Sequence, residues 1–274
     1  MIEEKTGPAF WKTAVSTVTP QEVLIRGYPM SALVGNLPYA GIAYLLIRGE
    51  LPTPGAARMM DVLFSSILDY GLQKSGTLAA RAVVSVSPQM TAGLSAAMLA
   101  AGPIAVSPED AGSFIAEGLA AWKASGKSMT EHAEELVAGL RAAKRRVPGF
   151  GHQVFRGTDP RAEQLNTIAR REGIWGEANE WYAAVHTAFR AATGKPDLVM
   201  NDVGVLGAIM VQMGFTPAEM CGIALVSTMP GLIAHISEEM QSGQRNRLVP
   251  DSHVTNIGPA RELTADLAAA GWNP

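Results

Sequence analysis

Arg146-Val147-Pro148-Gly149-Phe150-Gly151-His152-Gln153-Val154-Phe155-Arg156-Gly157-Thr158-Asp159-Pro160-Arg161 is the stretch on which the reading of this chain turns. Polar and apolar residues mix here without a helical period. Pro148 and Gly149 end whatever precedes them, and Gly151 allows a tight turn or a close approach of backbone to a ligand. His152 stands among four cations, Arg145, Arg146, Arg156 and Arg161. Asp159-Pro160 reads as a cap followed by the first residue of a helix. A ligand with phosphates at one end and a reactive carbonyl at the other suits such a segment. The residues alone leave a second reading open, a basic loop around a structural histidine.

Taken whole, Pro148-Gly149-Phe150-Gly151-His152 followed by Val154, Arg156 and Asp159-Pro160-Arg161 resembles the signature of the citrate synthase family. Other strings fit that family in the same order. Arg26-Gly27-Tyr28-Pro29 and Ala43-Tyr44-Leu45-Leu46-Ile47-Arg48-Gly49-Glu50-Leu51-Pro52 lie near the N-terminus. Pro230-Gly231-Leu232-Ile233-Ala234-His235-Ile236 lies toward the C-terminus. The resemblance covers nearly the whole chain. The short length, the Gly-Glu-Leu-Pro string and the Gly-Leu-Ile-Ala-His string are most similar to the citryl-CoA lyase branch.

Composition agrees with a packed protein. The chain has 274 residues, 47% of them hydrophobic and 17% charged, which permits a sizeable core and argues against disorder. A net charge of −3 gives no reason to expect nucleic acid or an anionic membrane as partner. The single cysteine, Cys221, excludes an internal disulfide framework and fits a reducing, cytoplasmic setting. It lies in an apolar run and reads as a buried structural thiol. The acidic Met1-Ile2-Glu3-Glu4-Lys5 is unlike a secretory leader. Gly, Pro or charge interrupts each apolar run short of a membrane span. No CxxC or HExxH spacing points to a metal.

Along the chain the signals are helical. Trp11 and Phe10 are expected to anchor an N-terminal arm. Ser31 to Ile47 has helical character, split by Pro38. Met59, Val62, Leu63, Ser66 and Ile67 recur at helical spacing within Gly55 to Leu72. Small-residue helices, expected to be buried, follow over Thr77 to Val86 and Met90 to Ala101. Ser107-Pro108-Glu109-Asp110 has good N-terminal chemistry, and Ser128-Met129-Thr130-Glu131 has the spacing of a capping box. Helices are expected over Arg161 to Arg171 and Glu177 to Ala192, with an apolar stretch from Leu198 to Met213. The last long helix starts at Thr216-Pro217 and is expected to break near Thr228 to Gly231. Glu238 and Glu239 are expected at a solvated helix end. No strand alternation stands out, so the pattern is all-α.

The resemblance implies more. It implies a large helical domain from residues 1–105 and 198–274 and a small one from 106–197, with the site between them. It also implies a homodimer or higher homo-oligomer. Its chemistry joins an acyl-CoA to a keto acid, or reverses that step, so coenzyme A is the expected partner as acyl-CoA. By the same resemblance His152 polarises the keto carbonyl and Arg161 holds the keto acid. Arg156 contacts a CoA phosphate, with a salt bridge to Asp159 as the alternative. Arg146, Val147, Gly149 and Gly151 belong to the loop around the adenine.

The departures fall where the chemistry should be. Tyr70 stands where the family has the histidine of Asp-His-Gly. Ala105 follows Gly102-Pro103-Ile104 in place of a second histidine. Asn201-Asp202-Val203-Gly204 places Val203 at the family's acid position and Asp202 one residue earlier, about 100° around a helix. Thr228 and Val249 replace arginines and are expected to line a less charged pocket. Asp202 is either the catalytic base or the cap of the helix that follows. The chain is either a lyase or synthase for a 3-hydroxyacyl-CoA with fewer carboxylates than citryl-CoA, or a non-catalytic CoA-binding homologue.

Overall fold

The structure, a computed structural model, describes residues 11–69, 71–102 and 108–273. A short antiparallel meander comes first, with β1 (Ser16–Val18), β2 (Val23–Ile25) and β3 (Tyr28–Pro29) in the order β1-β2-β3. Strands this brief carry too few residues for alternation to show in a sequence. Helices make up the rest: α1 (Met30–Leu33), α2 (Tyr39–Arg48), α3 (Pro54–Ser65), α4 (Ser75–Val86), α5 (Met90–Ala100) and α6 (Pro108–Ser125). They continue with α7 (Met129–Ala142), α8 (Pro160–Arg171), α9 (Glu177–Thr193), α10 (Asp202–Gln212), α11 (Pro217–Gln241) and α12 (Leu263–Ala269). The fold is all-α with a minor sheet.

The helix starts follow local chemistry. Thr53, Asp159 and Asn201 each accept a backbone N–H as caps of α3, α8 and α10, and proline opens α3 and α8. Ser128 with Glu131 and Thr216 with Glu219 form reciprocal capping boxes on α7 and α11. Such caps satisfy amides that the helix itself leaves unpaired.

Apolar side chains gather in three clusters. Tyr44, Met59, Met60, Leu63, Leu165, Ile209 and Met220 join α2, α3, α8, α10 and α11. Ile115, Val137, Leu140, Trp181, Tyr182 and Ala208 join α6, α7, α9 and α10. Ala80, Val84, Ala97, Leu232 and Ile236 join α4, α5 and α11. Helix α10 is buried on two sides, which explains its nearly unbroken apolar sequence. Its residues Ala208 and Ile209 face different clusters.

Several expectations need correction. Trp11 is 84% exposed rather than buried, and Phe10 lies outside the described residues. Helices α4 and α5 are not fully buried: Leu78, Val86 and Leu99 face outward. Cys221 is only half-buried, although burial still pushes its thiol up.

Helix α11 does not break. It runs through Pro230, because Ile223, Ser227, Leu232 and Ile236 are buried on one face while Val226 and Pro230 lie on the exposed one. The amide that proline lacks is thus lost where water can solvate the carbonyl it would have met. By length and composition alone α11 is also long and apolar enough to cross a membrane, contrary to the sequence reading. Here it packs against α3, α4, α5 and α6.

Glu239 is not at a solvated end: it is 1% exposed. Arg81 of α4 donates to it at 2.7 Å, and Arg247 donates at 2.7 and 3.1 Å. Hydrogen bonds from Arg247 and then Arg81 outweigh burial and hold its carboxyl below the usual range. The backbone N–H groups of Asn246 and Arg247 also donate to Ser85 of α4. The chain after α11 is thereby pinned to α4.

Removing one member of a buried pair leaves the other uncompensated. Glu239→Ala is expected to lower the unfolding free energy by about 2–4 kcal/mol in urea titration. It should also speed proteolysis after residue 242. Wild-type resistance to protease in that variant would mean the pin is not held by this carboxylate.

Candidate active site

The loop from Arg146 to Arg161 docks edge-on against residues 197–201. Gly151 N–H donates to Val199 O at 2.8 Å, Asn201 N–H to Gly149 O at 2.9 Å, and Gly157 N–H to Asp197 O at 2.8 Å. The Asn201 side-chain amide donates to Gly151 O at 3.0 Å. Gly149 has φ +81°, and a Cβ there would run into Gly204 Cα and Tyr182 Oη. Tyr182, whose phenol burial pushes far above its ordinary value, donates to Pro148 O at 2.7 Å. The loop thus lies directly on the first turn of α10.

His152 follows this pairing. Its Nδ1 accepts from the backbone N–H groups of Val154 and Phe155, both at 3.1 Å. An acceptor at Nδ1 leaves the proton of a neutral ring on Nε2. The ring lies 4.6 Å from that of Phe155, centroid to centroid. His152 is part of the wall of two cavities. One, of about 310 Å³, is also lined by Arg161, Asn201, Asp202, Val203 and Thr228. The other, of about 400 Å³, is lined by Gly151, Phe155, Arg156 and residues 194–199, including Lys195.

Arg161 lies between two carboxylates. Its Nε and Nη2 donate to Asp159 at 3.1 and 2.7 Å, and its Nη1 meets Asp202 Oδ2 at 2.8 Å. Asp159 is 2% exposed and caps α8. Burial raises its pKa, but hydrogen bonds from the Arg161 side chain and backbone, with the Arg161 charge, win and hold it below the usual carboxylate range. Arg161 also lies over the Phe155 ring, 5.3 Å from its centroid.

Two of the expected local pairings are not formed. Arg156 makes no bridge to Asp159; its Nη1 donates instead to the carbonyls of His152 and Phe155, at 2.7 and 2.8 Å. Asp202 is not the cap of α10. Asn201 is, accepting from Gly204 N–H at 3.0 Å, and Asp202 is the first helical residue.

Other expected residues scatter. Thr228 lines the 310 Å³ cavity and donates to Leu225 O at 2.9 Å. Val249 is 67% exposed and is not on that wall, because the segment beyond α11 turns away along α4. Val147 is a core residue at 4% exposure, Gly149 contacts Gly204, and Arg146 is exposed on the surface. None of these three lines the cavity beside Arg156. Tyr70 and Ala105 lie outside the described residues.

The sequence reading missed Lys195, which is brought to Arg156 by the left-handed Gly194 that ends α9. It also missed Lys74 on the wall of the 310 Å³ cavity. Asp69, left between capping and local pairing, bonds His235 of α11 at 3.2 Å and accepts from Gly71 N–H at 3.2 Å.

Comparison with known proteins follows this geometry. Residues 52–249 match the family model described as the C-terminal domain of citrate synthase. The structure of citryl-CoA lyase from Hydrogenobacter thermophilus superposes with a TM-score of 0.86 at 34% identity, covering 95% of this chain and 100% of that one. ATP citrate lyase from Methanothrix soehngenii, solved with citrate and coenzyme A, superposes at 0.75 with 21% identity, covering 93% of this chain and 42% of that one; this likeness is one of fold. The glyoxysomal citrate synthase of Cucurbita maxima is 26% identical over 242 residues, 84% of this chain and 45% of that protein. Citrate synthase 2 of Bacillus subtilis is 29% identical over 120 residues, 43% of this chain and 31% of that protein. The chain therefore spans half or less of the length of these two curated relatives.

Two outcomes follow from the geometry. Gly149→Ala should cost about 2 kcal/mol or more, from overlap and a strained φ together, with a lower thermal midpoint. The Asp159 contribution to stability is present above its unfolded pKa of about 3.9 and is lost as pH falls through its lower folded value. Below about pH 4 the wild type should therefore lose stability more steeply than Asp159→Ala. Equal slopes would show that the Asp159 pair is not linked to folding.

Proposed function

We propose that this chain, which belongs to the citrate synthase family, is a CoA-dependent carbon–carbon lyase or synthase. Its substrate is a 3-hydroxyacyl-CoA with fewer carboxylates than citryl-CoA. One observation carries the reading: His152 and Asp202 share the wall of one cavity, and His152 also borders a second cavity bearing Arg156 and Lys195. The acyl end of a CoA ester fits the first, and its phosphates fit the cations of the second. The similarity to citryl-CoA lyase supports the same reaction class.

In the joining direction Asp202 takes the proton from the carbon beside the thioester. The enolate carbon attacks the keto carbonyl, whose oxygen accepts a hydrogen bond and then a proton from His152 Nε2. Cleavage is the reverse: the hydroxyl proton goes to His152, the C–C bond breaks, and the enolate carbon regains a proton from Asp202. The fixed tautomer of His152 suits this role, since its donor is in place before charge develops on oxygen.

Both expected domains contribute to the 310 Å³ cavity: Thr77, Ala97 and Leu232 from one side, His152 and Arg161 from the other. That supports a small domain over 106–197 closing on the remainder. Leu78, Val86, Leu99 and Ile233, exposed on α4, α5 and α11, support association with a second copy.

One observation favours a second reading, a CoA-binding homologue without turnover. Asp202 is held by Arg161 at 2.8 Å rather than left for substrate. Proton exchange separates the two. Acetyl-CoA in D₂O should lose methyl protons with the wild type and at a rate at least about a hundredfold lower with Asp202→Asn. Tight CoA binding with no exchange in the wild type would favour the non-catalytic reading. Calorimetry with CoA should show Lys195→Ala weakened about three- to tenfold, as for loss of one partly exposed phosphate contact. Arg156→Ala should be weakened more, because Arg156 also holds the loop carbonyls. Unchanged affinity in both variants would place the phosphates elsewhere.

A further inference from the structure

Part of the 310 Å³ cavity wall has no role in the proton transfers above. It is the first turn of α4: Lys74, Ser75, Gly76 and Thr77 all border the cavity. No side chain caps this 12-residue helix, whose N-cap is Lys74 itself. Among the described residues the backbone N–H groups of Ser75, Gly76 and Thr77 have no acceptor. Such a terminus carries a partial positive charge. The turn is fixed in place, since the Ser75 hydroxyl donates to Ala100 O at 2.9 Å and Gly76 packs against Ala97 O. Thr77 is a separate sign of a ligand. It is 4% exposed and borders the cavity, and its hydroxyl has no hydrogen-bond partner among the described residues. A buried hydroxyl in that state is disfavoured unless a bound group completes it. Lys74 adds a full charge at the same place. Asp69 is the opposing charge nearby, and it is engaged by His235 and by Gly71 N–H, each at 3.2 Å.

We infer that the first turn of α4, with Lys74 and Thr77, is a carboxylate subsite. It receives one carboxylate of the carbonyl fragment that is joined or released beside His152. The inference rests on the lyase or synthase reading above and deepens it: the substrate keeps a carboxylate even though Thr228 and Val249 stand where arginines were expected. Backbone N–H groups at a helix start, a hydroxyl and an ammonium are together a suitable donor set for a carboxylate. A phosphate is better served at the other cavity, where Arg156 and Lys195 stand. Lys74 and Thr77 determine specificity, and proton transfer stays with His152 and Asp202. The subsite adds to Arg161 on the same wall and does not replace it.

A matched pair of small ketones tests this. The wild-type protein, saturated with CoA, is titrated calorimetrically with 2-oxobutyrate and with butanone, in which a methyl group replaces the carboxylate. 2-Oxobutyrate should bind at least about tenfold more tightly. Lys74→Met should weaken it about tenfold and Thr77→Val about three- to tenfold, while both variants bind CoA and butanone as the wild type does. Lys74→Arg should keep most of the affinity, since the charge remains. Lys74 is only half-buried, so its variants decide the matter if Thr77→Val fails to fold. Unchanged 2-oxobutyrate affinity in Lys74→Met would overturn the inference. So would a loss confined to CoA, which would make the bound anion a CoA phosphate. Binding of neither ketone to a protein that does bind CoA would overturn it too, while leaving the CoA reading intact. Failure of the wild type to bind CoA would remove that underlying reading instead.

Discussion

Edge-on pairing of Gly149 and Gly151 with Val199 and Asn201 is the contact on which the site depends. Two backbones reach hydrogen-bonding distance there because Gly149 and Gly204 present no side chains to each other. Each individual bond contributes only about 1 kcal/mol net. Together they fix the register of a loop that has no helix of its own. That register brings a histidine 152 residues along the chain and an aspartate fifty residues further on to the same cavity. The capped start of α10 completes the arrangement, since Asn201 uses its oxygen for the cap and its nitrogen for the loop.

Electrostatics then divides the site into two functions. Arg161 is placed by the helix it begins, because the same Asp159 that caps α8 also pairs with its guanidinium. Surface ion pairs of this kind contribute little, but a carboxylate as buried as Asp159 needs its partner. Cations on the other side of His152, Arg156 and Lys195, border the second cavity, with Asp197 the acidic residue on its wall. Charge is thus balanced at one cavity and in modest positive excess at the other, as suits a ligand with an anionic end and a reactive end.

Much of this was legible in the sequence. Ser128, Asp159 and Thr216 announced their helices because capping is a local transaction between residues a few positions apart. The Pro-Gly-Phe-Gly-His string identified the loop, and His152, Arg161, Asp202 and Thr228 do come to one wall. What was not legible depended on distant partners. Glu239 looks solvated until Arg81 and Arg247 arrive from elsewhere in the chain. Lys195 gains meaning only when the end of α9 meets Arg156. Val249 looked like a pocket residue because its position in the string said nothing about the path of the chain after α11. Pro230 looked like a break because proline's local effect is large, whereas the packing that overrides it is tertiary.

That proline has a mechanical consequence. Within α11 it removes one rung of the hydrogen-bond ladder, leaving two stiff rods joined at a softer point. The first rod is clamped through Met220 and Ile223, the second through Leu232 and Ile236 in a separate cluster. Thr228 and Leu232 fall on opposite sides of the joint, yet they border the same cavity. One wall of the cavity is therefore built across the softened rung at Pro230: a bend there would change the wall's curvature without either rod letting go of the helices that hold it.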